Sequence, residues 1–330
     1  MLPSTALPEP LSDAAVAEVA QAVALAEGVR GVEAVTTALA RLEPVSVRAL
    51  AKASDLPVPI VAAVCNELRK RALVSEERPV QFTIEGRRRL ASGAVKVDTS
   101  CPTCGGRGIA LAPRIARLRR GLAAVSDVAP PPRRELDQCH CTPKTKLRRV
   151  LAMHAADAIM GRRILLLGDD DLISIALLRF VRELGGTIEE LVVIDVDRRL
   201  LEFIADELED APFPFTCVER DVREMPPGRF DTIVTDPPYT AAGARLFLEH
   251  AVDSLAGPGS QIFFSFGSRR PGVQAELQRA IVEAGLEIRS LTRDFNDYVG
   301  AGVLGGTSHL YHLTLPGPQR QPVGALYTGR

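Results

Sequence analysis

Residues 162–171 read RRILLLGDDD and residues 230–239 read FDTIVTDPPY. Each is a short apolar run that stops abruptly at aspartate, the pattern of a strand buried on both faces with a polar turn at its carboxyl end. Between and after them strands and helices alternate. LISIALLRFVREL (172–184) has a wide apolar face and reads as a helix, ELVVIDVD (190–197) as a strand and RRLLEFIADELED (198–210) as a helix. FTCVERDV (215–222) supplies a third strand, RLFLEHAVDSL (245–255) a helix, SQIFFSFGS (260–268) a fifth strand and VQAELQRAIVEAG (273–285) a helix. LEIRSLTRDFNDY (286–298) and SHLYHLTL (308–315) form a closing pair of strands, and the Pro/Gly-rich residues 316–330 are expected to be mobile or docked late. The succession predicts an α/β, doubly wound, Rossmann-like sheet over residues 150–330, with ligands at the carboxyl ends of its strands.

Four acidic signals fall at those ends: Gly168 with Asp169, Asp170 and Asp171, then Asp195 and Asp197, then Asp221, and last Asp236 of Asp236-Pro237-Pro238-Tyr239. Any one of them alone reads as an ordinary cap or loop acid. Together they share one rim of the sheet. An acid after the second strand commonly takes ribose hydroxyls, which points to Asp195, and Asp221 with Val222 is placed to meet an adenine. The first turn lacks the Gly-rich G-x-G-x-x-G. A dinucleotide pyrophosphate would face three carboxylates there, so NAD is disfavoured by like charge, as is the carboxylate of S-adenosylmethionine. A sulfonium nucleoside with a cationic aminopropyl arm would be attracted. In DPPY, consecutive prolines make a rigid turn, Asp236 can accept hydrogen bonds from an amine, and Tyr239 can pack on the target or donor.

The amino-terminal half has a different grammar. Residues 11–42 suit two helices separated near Gly28 and Gly31. VSVRALAKASDLPVPIVAAVCNELRKRALVSEERPVQFTIEGRRRL (45–90) reads as a helix, a turn at Asp55, a second helix entered through Pro59 and two short β-rich pieces, which is winged-helix order within a domain of residues 1–97. Residues 1–149 carry 23 basic and 15 acidic side chains, whereas residues 150–330 carry 17 and 26. The basic half admits nucleic acid as a partner. The exposed start of the second helix, Pro59-Ile60-Val61-Ala62, offers few side chains able to read base edges, so a packing or dimerisation module is the plainer reading.

Residues 98–149 form a Cys-containing linker. CPTCGGRG (101–108) has the spacing of a zinc knuckle, and QCHC (138–141) could complete a tetrahedral set from Cys101, Cys104, Cys139 and Cys141, with His140 as a substitute. Reduced thiols are the alternative. Cys65 and Cys217 read as core residues, and His309 and His312 as strand residues. No stretch is long and apolar enough to span a bilayer and no signal peptide is evident, so no membrane association and a cytoplasmic location are expected. With 5% aromatic residues and no Trp, stacking platforms for single-stranded nucleic acid are not expected either.

GDDDLISIAL (168–177), VVIDVD (192–197), FDTIVTDPPYT (230–240), FNDY (295–298) and the preceding Asp137, Gln138, Thr142 and Pro143 resemble the branched-chain polyamine synthases, the N(4)-bis(aminopropyl)spermidine synthase family. The resemblance spans the winged-helix front, the cysteine segment and the α/β domain. It implies a methyltransferase-type fold, a homo-oligomer, and aminopropyl transfer from decarboxylated S-adenosylmethionine to the secondary amine of spermidine, releasing methylthioadenosine. Carried over by motif, Asp169, Asp170 and Asp171 line the donor and amine site with Gly168, Asp195 and Asp221 hold the nucleoside, and Asp236, Pro237 and Tyr239 face the acceptor, with Gln138 nearby. The zinc reading rests on this sequence alone.

Chemistry points the same way. A polyammonium nitrogen must lose a proton and be aligned with carbon next to sulfonium, and carboxylates can do both. Asp170 or Asp171 is expected as the base and Asp236 as the second orienting group. Asp297 and Tyr298 could contact the amine from a lid that includes residues 305–312, or belong to a plain hairpin. Two other functions remain open from sequence: an S-adenosylmethionine-dependent N-methyltransferase, suggested by DPPY, and a winged-helix regulator with a degenerate ligand-sensing domain.

Overall fold

Side-chain alternation along strand β1 (Arg163–Leu167) sends Ile164 and Leu166 into one apolar cluster and Leu165 and Leu167 into another, so the strand is covered on both faces. The computed structural model describes residues 14–91, 101–224, 228–267, 270, 272–299 and 306–317. They fall into two units, one mainly from residues 1–100 and the other mainly from residue 101 onward. Residues 92–100, 300–305 and those from 318 onward lie outside the described residues.

In the first unit, α1 (Ala14–Ala22), α2 (Gly28–Leu42), α3 (Val47–Ser54) and α4 (Val58–Lys70) bury Val19, Val32, Leu39, Leu50, Val61 and Leu68 in one cluster. Ser46 caps α3 through the Ala49 amide at 3.2 Å, and Asp55 ends it in the left-handed conformation, giving a helix-turn-helix. Cys65 is fully buried, as read from sequence. The two β-rich pieces are reduced to isolated bridges, Val45 with Val80 and Val74 with Phe82. Pairing stops there because Thr83 accepts from the Gly86 amide at 3.0 Å and starts helix α5 (Ile84–Leu90). Gly86 passes so close to the chain that an added Cβ would lie 1.8 Å from the Leu73 carbonyl oxygen.

The second unit begins with α6 (Pro113–Ala116), α7 (Leu118–Val128) and α8 (Pro143–Ala155). The stretch read as a linker thus contributes Leu122, Val125 and Leu147 to the core of the α/β unit. After β1 come α9 (Ile173–Leu184), β2 (Glu190–Asp195), α10 (Arg198–Leu208), β3 (Phe215–Glu219), β4 (Thr232–Thr235), α11 (Ala241–Asp253), β5 (Gln261–Phe266), α12 (Val273–Glu283), β6 (Glu287–Asp297) and β7 (Thr307–Thr314). The sheet order is β3-β2-β1-β4-β5-β7-β6, parallel through β5, with β7 antiparallel to both neighbours. Helices α7 to α10 cover one face, and α11 and α12 the other. The chain reverses its direction of winding between β1 and β4, so the turns holding GDDD and DPPY stand side by side at the switch point.

Candidate active site

The three aspartates after β1 take different partners. Asp169 turns inward and caps α9, accepting from the Ile173 amide at 2.6 Å, the Ser174 amide at 3.1 Å and the Ser174 hydroxyl at 2.5 Å. Burial pushes its carboxyl up to about 7. Asp171 accepts from the Cys141 amide at 2.5 Å and pairs with Arg149 at 2.6 Å. Burial opposes its ionisation, but Arg149 and then Lys146 hold it below the usual carboxylate range. Asp170 faces a cavity of about 270 Å³, and its Oδ2 accepts from the Cys139 amide at 2.9 Å. Among the described residues it has no cation at ion-pair distance; burial, then Asp171 and Asp236, drive its carboxyl well upward.

Asp236 sits across from this turn. Its Oδ2 receives Arg149 at 2.6 Å and the Tyr298 hydroxyl at 2.5 Å, while Tyr239 lies 2.9 Å from its Oδ1 and 2.7 Å from the Tyr298 oxygen. Burial lifts Asp236 to about 6 against the pull of Arg149. Pro237 is buried, and Pro238 is the proline that lines the cavity. Both tyrosines are held far above the ordinary phenol range by burial and then Asp236, so they are proton donors at neutral pH.

Gly168, Asp195, Asp221, Val222 and Gln138 line the same cavity as Asp170. Asp195 accepts from the amides of Asp169 at 3.1 Å and Asp197 at 2.9 Å. Asp221 is clamped by Arg223, with its oxygens 2.5 and 2.9 Å from the guanidinium, and is lowered to about 2 by those hydrogen bonds. Gln138 Nε2 reaches Asp197 at 3.4 Å. Asp297 faces away into a fork with Arg107, at 2.8 Å to both oxygens, although its neighbour Tyr298 joins the Asp236 cluster.

The cysteine expectation is corrected. Among the described residues no three His, Cys, Asp or Glu side chains gather as a metal site. Cys139 and Cys141 serve the site through their amides, and residues 140–142 run beside 297–299, with Val299 N donating to His140 O at 2.9 Å and Thr142 N to Asp297 O at 2.8 Å. Burial raises the Cys139 thiol to about 11 and the Cys141 thiol well above its ordinary value, and the neighbouring Asp171 adds to both. His309 accepts from the Asp294 amide at 3.1 Å and His312 stacks on Phe263, so both are strand residues.

Sequence reasoning missed Arg149. It is 2% exposed and joins Asp171, Asp236, Tyr298 and Asn296 Oδ1, the last at 2.8 Å. In KLRRVL (146–151) Arg149 stands beside a second buried arginine, Arg148, and nothing in that spacing marks which of the two reaches the aspartates.

A sheet of this order, with acids at the β1–β4 reversal lining a cavity, is the architecture of methyltransferase-type α/β transferases. Residues 118–316 match the model of the branched-chain polyamine synthase A C-terminal domain, and the chain belongs to the branched-chain polyamine synthase family. It is 31% identical over 304 residues to an uncharacterised protein of Methanocaldococcus jannaschii, covering 89% of this chain and 76% of that one. It is 30% identical over 260 residues to the N(4)-bis(aminopropyl)spermidine synthase of Thermococcus kodakarensis, covering 76% and 72% respectively. The branched-chain polyamine synthase of Thermus thermophilus, solved with N4-aminopropylspermidine and 5'-methylthioadenosine, superposes with a TM-score of 0.75 at 25% identity, over 91% of this chain and 92% of that one. No helix among the described residues is long and apolar enough to cross a membrane.

Proposed function

We propose that this chain transfers the aminopropyl group of decarboxylated S-adenosylmethionine to the secondary amine of spermidine. The observation that carries the assignment of roles is Asp170: a half-buried carboxylate without a cationic partner among the described residues, in the same cavity as Asp195 and Asp221. Asp170 takes the proton from the central ammonium of the acceptor. The freed nitrogen lone pair then attacks the aminopropyl carbon bound to sulfur, the C–S bond breaks, and its electrons neutralise the sulfonium, releasing methylthioadenosine. Asp236, held by Arg149 and Tyr298, orients the nitrogen and Tyr239 packs beside it. Asp195 and Asp221, with Gly168 and Val222, support the nucleoside. A donor carboxylate would meet Asp170 and its neighbours, which favours the decarboxylated donor.

Incubation with spermidine and either decarboxylated or intact S-adenosylmethionine, followed by mass spectrometry, tests this reading. Aminopropyl addition is expected from the first donor only. Methyl addition from intact donor without aminopropyl addition overturns it. Asp170→Asn is expected to reduce kcat by about a hundredfold or more while leaving the fold intact, the range for losing a general base. For residues 14–91 the helix-turn-helix supports a winged-helix-like packing module, in line with a homo-oligomer, and sedimentation of the full chain tests the assembly.

A further inference from the structure

We propose that Arg149 is the positioning residue of the acceptor site: it fixes Asp171 and Asp236 as two paired anions and so leaves proton exchange with the acceptor to Asp170. This rests on the reading of the site as an aminopropyltransferase centre. One guanidinium here serves two carboxylates and a carboxamide. Its Nη1 meets Asp171 and its Nη2 meets Asp236, both at 2.6 Å, while Nε donates to Asn296 Oδ1 at 2.8 Å. Asn296 is locked in that orientation because its amide group donates to Ser265 Oγ at 3.1 Å and Ser308 Oγ at 2.7 Å. The fork therefore has one seat, set by α8, two strand-end turns and β6.

The count of charges gives the arrangement its consequence. Asp170, Asp171 and Asp236 set three acids against the Arg149 guanidinium, with buried Lys146 adding a weaker pull on Asp171. Three ionised carboxylates crowded out of water cannot coexist unaided; protons would be shared among them and no single one would be the base. With Arg149 in place two are held ionised, and the carboxylate in excess is Asp170, on the cavity wall. The same pairing removes Asp171 and Asp236 as free anchors for ammonium groups. An acceptor cation is thereby directed toward Asp170 rather than spread over the cluster.

Arg149→Lys keeps the charge and loses the fork, Arg149→Gln loses both, and Arg149→Gln with Asp171→Asn restores the net charge of the cluster without the pair. The full pH dependence of kcat/KM for spermidine, the KM for donor, calorimetric affinity for methylthioadenosine, and melting at several pH values are read for each. In Arg149→Gln the acidic limb is expected to move up by about one pH unit or more, the response of a buried carboxylate cluster to loss of its cation. In the double variant it returns toward wild type. Arg149→Lys keeps the wild-type limb and loses at least about tenfold in kcat, since a point charge cannot hold both carboxylates in place. Methylthioadenosine affinity stays within about twofold throughout, since Asp195 and Asp221 take their hydrogen bonds from Asp169, Asp197 and Arg223 and none from Arg149. An unmoved limb in folded Arg149→Gln, or losses that track only the folded fraction, would overturn the proposal. Should wild type transfer no aminopropyl group, the functional reading fails by itself. The positioning claim is then decided by melting: Arg149→Gln should melt lower at pH 8 than at pH 6, and the double variant should lose that slope; a slope equal in both refutes it.

Discussion

Asp171→Asn isolates the charge of one buried pair. Asn keeps the shape of the side chain and an oxygen for the Cys141 amide, but it leaves one arm of Arg149 without an anion. Asp171 and Arg149 are 4% and 2% exposed and 2.6 Å apart, so solvent cannot replace the lost partner. Breaking such a pair from one side costs about 3–5 kcal/mol, because it strands a buried charge. Asp236 remains on the other arm at 2.6 Å. The low end, about 3 kcal/mol, therefore applies. At about 2–4 °C per kcal/mol for a unit of this size, Tm should fall by about 6–12 °C at pH 7. The pH dependence has a definite sign. The folded carboxyl lies below its unfolded value, so its contribution is complete above the unfolded pKa of about 4 and is lost as pH falls through the folded value. Melting of wild type and variant from pH 8 to pH 3 should show the gap narrowing only toward the acidic end. A drop under about 2 °C at pH 7 would refute the claim that this pair is sealed from solvent.

With Asp236 raised to about 6 and Asp170 also raised, the acidic limb of kcat/KM should lie at or above about pH 6; a profile flat down to pH 5 contradicts their joint ionisation. Tyr298→Phe removes the hydroxyl that donates to Asp236 and should cost about tenfold in kcat, one buried hydrogen bond to a charged group, with donor KM unchanged. Asp221→Asn breaks an exposed pair, so melting should stay within about 1–2 °C of wild type while methylthioadenosine binding, followed by calorimetry, weakens about tenfold.

The α/β succession was legible because strands buried on both faces leave near-continuous apolar runs, and the strand-end acids followed from it. The order β5-β7-β6 was not legible: which partner a closing strand chooses is decided by packing across the sheet, and SHLYHLTL carries no mark of its neighbours. The cysteines misled for a related reason. At positions 139 and 141 the site uses backbone N–H groups, which any residue but proline supplies, so the spacing of the thiols has no bearing on what the segment does. The winged-helix pattern promised strands where Thr83 caps a helix; a threonine before Ile-Glu-Gly fits either reading until its hydroxyl is seen on the Gly86 amide.

Charge arithmetic reads differently once the partners are known. The excess of 26 acidic over 17 basic side chains in residues 150–330 suggests a broadly attractive pocket for polycations. Yet Asp169 is committed to α9, Asp221 to Arg223, and Asp171 and Asp236 to Arg149, which comes from outside that span. That leaves Asp170 and Asp195, with Asp137 from before that span, as the cavity carboxylates without an ion-pair partner among the described residues. A pocket with all its acids free would bind every ammonium group alike. One in which the acids beside Asp170 are matched can hold a polyamine while placing a single nitrogen where a proton is taken from it, so the matched Asp171 and Asp236 confer selectivity of position and the unmatched Asp170 confers reactivity.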